Sequence, residues 1–268
     1  MNRIIRARKP IGLTLVAPAA GFLALLCLEK LLGVEVPRLQ ASVINLSLVA
    51  LLAFVAFPNW LGIPFGRIKT GDFLRRAGFY LPPRWPRHVL LGLFLAACTL
   101  SGMFAASWST GKYVMDAGRV SLTHLVFSLN PALWEELFYR GVLVFVLMRT
   151  AGSLRKAAFI QVLLFGLMHV RGFGPWDIVD ALSVSLLAAG FTYVAWKTGA
   201  LAAGIVFHYF HDALLFLVQV PAETVWTNLD RLAFYTSLWV SLAAACVIAN
   251  QASKKLAVRA PAEFYPPT

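Results

Sequence analysis

Glu135, Glu136 and Arg140 stand together in the middle of a stretch, Val120 to Met148, that otherwise carries almost no charge. Glu136 and Arg140 are four residues apart, on one face of a helix, and can neutralise each other as an ion pair. Glu135 lies about 100° further round the helix and has no such partner on its own element. An ionisable group at bilayer depth costs roughly 2.5–3.5 kcal/mol on insertion scales, so a carboxylate kept there is expected to serve function and to face the protein interior. The chemistry open to it is that of a general base acting on water.

Two other apolar stretches carry isolated polar groups. Phe165-Gly-Leu-Met-His169 puts a histidine near one end of a hydrophobic run, and Phe207-His208-Tyr-Phe-His211-Asp212 puts three ionisable groups in another. His208 and Asp212 share a helix face, and His211 points elsewhere. At about 1.5 Å of rise per residue, Glu135, His169 and Asp212 all fall roughly 18–21 Å from the basic side of the chain, with His208 one turn nearer to it. Read singly, each has a bland explanation: Glu136 with Arg140 as a structural ion pair, His169 as a satisfied core histidine, His208 with Asp212 as an orienting pair. His124, about three turns from Glu135, reads as interfacial. Two carboxylates and two histidines brought near one level by three helices read as a site.

The elements that position these groups are membrane helices. The chain has 268 residues, 59% of them hydrophobic and 13% charged, with a mean hydropathy of +0.73. An ordinary soluble domain carries about 25% charged residues, so a soluble fold is excluded. At about 20 apolar residues per crossing, the sequence predicts an all-α polytopic membrane bundle of about eight transmembrane helices. The spans are 11–33, 42–63, 87–108, 121–148, 155–171, 177–196, 200–220 and 231–250. The run Ile11–Leu32 follows Arg3, Arg6, Arg8 and Lys9 as a signal peptide would. It is long enough to span and lacks a clear cleavage site, and so reads as an uncleaved first helix. The whole of 1–268 reads as a single integral-membrane domain, with a motif-bearing core at about 120–215, a basic loop at about 64–87 and a short tail at 251–268.

Lys and Arg gather in short cytoplasmic loops. Arg3 to Lys9, Arg67 to Arg87, Arg149 to Lys156, Lys197 and Lys254 to Arg259 fall on one side, and only Arg38, Lys112, Arg119, Arg171 and Arg231 on the other. Both termini are therefore expected in the cytoplasm, and the membrane is expected to be the plasma or inner membrane. The net charge of +12 is accounted for by topology and contact with anionic membrane lipids, so no nucleic-acid partner is needed. The basic and aromatic loop reads as an amphipathic connector lying on the membrane surface. Cys27, Cys98 and Cys246 fall in apolar runs and read as small hydrophobes, with no disulfide framework or CxxC site.

Glu135-Glu136-x-x-x-Arg140, Phe165-x-x-x-His169 and His208-x-x-x-Asp212, in this order on three spans, resemble the CPBP (CAAX protease and bacteriocin-processing, Abi) family of intramembrane endopeptidases. That family includes the type II CAAX prenyl endopeptidases. The resemblance implies a glutamate-dependent peptidase in which Glu135 activates water and His169 shares that water. It implies that Glu136 with Arg140 is the structural pair, and that His208 with the residue four later stabilises the tetrahedral oxyanion. That later residue is often asparagine and is Asp212 here. An ionised Asp cannot donate to an oxyanion. Asp212 is therefore protonated, or orients His208, or helps hold a metal. Glu135, His169, His208 and Asp212 would be chemically adequate zinc ligands, a metalloprotease-like reading that no HExxH motif compels.

The expected function is hydrolysis of a peptide bond in a membrane-associated protein or peptide. A non-proteolytic scaffold or bacteriocin-immunity protein of the same fold is one alternative, and a proton-coupled transporter using Glu135 and the histidines as a relay is another. The transporter reading is weakened by the lack of internal repeats and paired broken helices. The sequence distinguishes neither a prenylated tail from a sorting tag or leader peptide as substrate, nor one oligomeric state from another.

Overall fold

A computed structural model of the chain describes residues 38–51, 54–55, 69–112, 114–116, 118, 120–144, 153–170, 172–219, 221 and 223–256. The expected span at 11–33, parts of the span at 42–63 and of the basic loop, and most of the 251–268 tail lie outside these residues.

The described residues form an all-α bundle. Its helices are α1 (Arg38–Leu51), α2 (Thr70–Arg76), α3 (Trp85–Thr110), α4 (Leu122–Glu135), α5 (Leu154–Leu167), α6 (Pro175–Thr198), α7 (Ala202–Leu215) and α8 (Asn228–Leu256). A π-helical segment, Glu136–Leu143, continues α4 without a break. Two short strands, β1 (Val114–Met115) and β2 (Val218–Gln219), pair antiparallel and join the segment after α3 to the segment after α7. Among the described residues, three helices are long and apolar enough to cross a bilayer: Trp85–Thr110, Pro175–Thr198 and Asn228–Ala252.

These three lie close to the spans read from the sequence, and their ends follow from local chemistry. Pro175 opens α6, where its missing N–H costs nothing, and Asp177 accepts from the backbone N–H of Gly174 at 3.0 Å. Gly199, at φ 67°, closes α6 in the left-handed conformation that favours glycine. Asp230 and Thr227 exchange side-chain and backbone hydrogen bonds at the start of α8. The two aspartates therefore meet helix N-termini, where negative charge is stabilising.

α3 packs mainly on α7 and α8, while α5 packs on α6. Leu91 and Leu95 of α3, Phe191 of α6, Phe207 of α7 and Ala245 and Ala249 of α8 form one buried core. Outward-facing apolar residues such as Leu90, Trp108, Val240 and Val247 remain exposed, as a surface bathed in hydrocarbon requires. Helix association in lipid gains from close backbone approach. At Gly102 a Cβ would collide with Ser241 and the Ser237 carbonyl, so glycine is what lets α3 lie against α8.

Three sequence expectations change. The single helix expected over 121–148 is α-helical only to Glu135, beyond which it takes up i→i+5 geometry. The fifth span stops at Leu167, and His169 lies in the turn beyond it, its backbone N–H bonding to the Gly166 carbonyl at 2.9 Å. The described part of the basic loop does not merely lie on a surface. Phe73 and Ala77 are fully buried, the Leu201 N–H bonds to the Gly78 carbonyl at 2.8 Å, and the Tyr80 hydroxyl donates to the Gly199 carbonyl at 3.1 Å. The loop's aromatic residues thus dock it on the α6–α7 turn.

Candidate active site

The α-to-π transition falls between Glu135 and Glu136, the two carboxylates that the sequence singled out. Single π turns within α-helices occur frequently at functional sites. The segment is buried throughout, from Glu136 to Leu143. Both carboxylates reach toward one imidazole, that of His208 on α7.

Glu136 Oε1 lies 3.3 Å from Arg140 Nη1 and 2.9 Å from His208 Nδ1. The side chains of Glu136 and Arg140 are both 0% exposed. A carboxylate oxygen can only accept, so Nδ1 carries the proton in that bond and the orientation of the ring is set. The other ring nitrogen, Nε2, faces Glu135 Oε2 at 3.8 Å and Asp212 Oδ2 at 3.5 Å. Exposure rises along this line, from 0% at Glu136 to 11% at the Glu135 side chain and 28% at Asp212. The cluster therefore opens on the side of Asp212.

Aromatic rings brace the buried end. The Arg140 guanidinium lies 4.2 Å from the Phe165 ring centroid and 5.1 Å from that of Phe191. Cation–π contact supplies part of what hydrogen bonds do not, because none of the Arg140 side-chain nitrogens makes a hydrogen bond among the described residues. Phe191 also stacks on His208, with centroids 4.7 Å apart and planes 16° from parallel. One phenyl ring thus holds both groups that flank Glu136. Gly204, one turn before His208, leaves room for the carboxylate, since a Cβ there would stand 3.1 Å from Glu136 Oε2.

His169 joins the site through Phe165. Its Nδ1 bonds to the Phe165 carbonyl at 2.8 Å, and its ring packs on the Phe165 ring at 4.6 Å. Because a carbonyl only accepts, Nδ1 carries the proton here as well. His169 also lies within electrostatic range of Asp212. His211, as expected, turns away, buried beside Phe207 at 6.3 Å. His124 caps α4 with Ser121 and stacks on Phe216 at 4.3 Å, which agrees with a position at the helix end.

The structure thus brings Glu135, Glu136, Arg140, His208 and Asp212 together directly and sets His169 beside them through Phe165. Glu135, without a partner on its own helix, faces His208 across the helix packing, and Glu136 serves His208 as well as Arg140. Phe191 and Gly204 escaped notice in the sequence. Gly204 had a signal in its spacing of four from His208, but Phe191 had none, as one of 20 phenylalanines.

Among the described residues no three or more His, Cys, Asp or Glu side chains are arranged to hold an ion. His208 Nδ1 is held by Glu136 and His169 Nδ1 by a backbone carbonyl, so only their Nε2 atoms could face an ion. Without such a grouping among the described residues, the metalloprotease-like description is unsupported.

A bundle of apolar helices with a buried ion-pair and imidazole cluster, opening at one carboxylate, defines an integral membrane protein with a polar site in its interior. Residues 118–214 match the family model described as type II CAAX prenyl endopeptidase Rce1-like. The three motifs all lie within that stretch, and the resemblance to the CPBP family is shown over it. The family is one of CAAX-type intramembrane endopeptidases. No curated protein and no solved structure matches the chain.

Proposed function

We propose that the protein is a glutamate-dependent intramembrane endopeptidase that hydrolyses a peptide bond of a membrane-associated protein or peptide. The observation that carries this reading is the pairing at His208 Nε2, where Glu135 and Asp212 carboxylate oxygens lie at 3.8 and 3.5 Å at the open end of a relay whose other end is buried. Glu135 is the base. It takes one proton from a water molecule whose oxygen attacks the carbonyl carbon of the scissile bond. The same carboxyl then passes that proton to the leaving nitrogen as the C–N bond breaks, so that the residue ends as it began.

His208 is the oxyanion donor. As an imidazolium it donates from both nitrogens, to Glu136 through Nδ1 and to the developing oxyanion through Nε2. Preorganised donors of this kind are worth about 10²–10³-fold in rate. Asp212 holds the ring from the open side until the oxyanion forms and takes over the single Nε2 proton, and His169 orients the attacking water. The substrate's lipid or peptide character and the side from which it enters are left to experiment.

The test is comparative proteomics of membrane and secreted fractions from cells carrying the wild-type protein or Glu135→Gln. Substrates should appear as unprocessed termini only in the variant. Identical terminal profiles at equal protein abundance would refute a peptidase.

A further inference from the structure

A cavity of about 320 Å³ opens between α5 and α6, away from the carboxylate cluster. Its walls are apolar side chains, among them Ala158, Phe159, Val162 and Ala189, and one end carries Arg155, Tyr193 and Trp196. The two helices run antiparallel: Gly166 meets Ala181 and Ser185 at one end, while Arg155 and Trp196 share the other. From Arg155 to Val162 the groove runs roughly 10 Å along the helix, at 1.5 Å per residue. Phe159 at 65% and Trp196 at 42% exposure place it on the outer side of the described helices.

Among the described residues the charges at its mouth are positive: Arg155 lines the groove, and Lys197 lies 4.7 Å over the Trp196 ring and 5.4 Å over the Tyr193 ring. The first turn of α5 holds no acidic residue, and among the described residues no ion pair to Arg155 forms. Positive charge in the first turn of a helix opposes its dipole, at a cost of about 0.3–1 kcal/mol per charge. An anion placed there would offset that cost, and an apolar tail attached to the anion would fill the groove. Aromatic rings of the Trp196 and Tyr193 kind sit at headgroup level in membrane proteins, and basic recesses between helices hold anionic headgroups.

We infer that the α5–α6 groove is a binding site for an anionic phospholipid, with the acyl chain between Ala158, Val162 and Ala189 and the phosphate on Arg155. The occupant is a membrane lipid, not the lipid tail of a substrate, and the inference stands whether or not the protein is a peptidase.

Trp196 reports on the groove. The full-length protein, reconstituted in bilayers, is titrated with brominated phosphatidylglycerol or brominated phosphatidylcholine of the same chains. The Trp196 signal is obtained by difference from Trp196→Phe. Phosphatidylglycerol should quench at about fivefold lower mole fraction, the difference made by one basic contact near the surface. Arg155→Gln should abolish that preference while leaving contact quenching in place. Ala189→Phe should weaken quenching by both lipids, and Ala158→Leu serves the same purpose if Ala189→Phe does not fold. Equal quenching by the two lipids in the wild type would overturn the site. So would a preference that survives Arg155→Gln, or displacement of the bromolipid by farnesol but not by unlabelled phosphatidylglycerol, which would mark the groove as a place for a substrate's tail.

Discussion

Glu136 Oε1 stands 2.9 Å from His208 Nδ1 and 3.3 Å from Arg140 Nη1, so a single buried oxygen holds both a cation on its own element and an imidazole from another. Removing one partner of a buried, paired charge typically costs about 3–5 kcal/mol, because the remaining charge stays buried. Glu136→Gln leaves Arg140 without its counter-charge. The amount of folded protein should fall and the midpoint of thermal unfolding in detergent should drop by several degrees. Normal abundance and unchanged unfolding would show that the pair is dispensable to the fold.

Glu135 makes a looser contact, 3.8 Å to His208 Nε2, at the more open end of the cluster. Glu135→Gln keeps the size and removes the base. Cleavage should fall by at least about 10²–10⁴-fold, the usual worth of general acid–base catalysis, with folding and abundance near wild type. Retention of full cleavage in the variant would remove Glu135 from the chemistry.

Gly204 allows the close approach of α7 to the π segment. A methyl group at that position meets Glu136 Oε2 at 3.1 Å, so Gly204→Ala should be tolerated with reduced cleavage, whereas Gly204→Val should resemble Glu136→Gln in abundance. A Gly204→Val protein with wild-type stability and activity would show that α7 can retreat without disturbing the site.

The spans at 87–108, 177–196 and 231–250 were legible because length and hydropathy suffice to mark a helix that crosses a bilayer. The ion pair was legible because spacing on one helix is written in the chain. Two things were not. The α-to-π change at Glu136 depends on how α4 packs among α5, α6 and α7, and no residue spacing announces it. The partners of Glu135 and Glu136 on α7, and the Phe191 ring beneath His208, are set by helix–helix docking, which the order of motifs suggests and their sequence does not specify. Asp212, by contrast, was marked in advance as the point of departure from the commoner pattern.

Topology has its own test. The distribution of Lys and Arg predicts that α6 and α8, capped by Asp177 and Asp230, enter from the side opposite the basic segments. Reporter fusions after Thr70 and after Ser153 should give a cytoplasmic signal, and one after Glu223 the opposite. A cytoplasmic signal at Glu223 would overturn the orientation and, with it, the depth assigned to the site.

Asp212 decides between two chemistries. Its Oδ2 lies 3.5 Å from His208 Nε2, and in the proposed mechanism its part is to orient the imidazole. Asparagine has the same shape and keeps a carbonyl oxygen that can accept from Nε2. Asp212→Asn should therefore retain cleavage within about an order of magnitude, because a hydrogen bond to a charged partner is worth roughly 1.5–3 kcal/mol and a neutral one about half of that. Asp212→Ala, which removes the acceptor altogether, should lose more. If the carboxylate instead served a metal, the amide would be a much weaker ligand, and Asp212→Asn would lose metal and activity together. Elemental analysis of the purified wild type and Asp212→Asn, alongside a cleavage assay, separates the two. Stoichiometric zinc in the wild type that disappears with activity in Asp212→Asn would replace the orienting role with a metal-binding one.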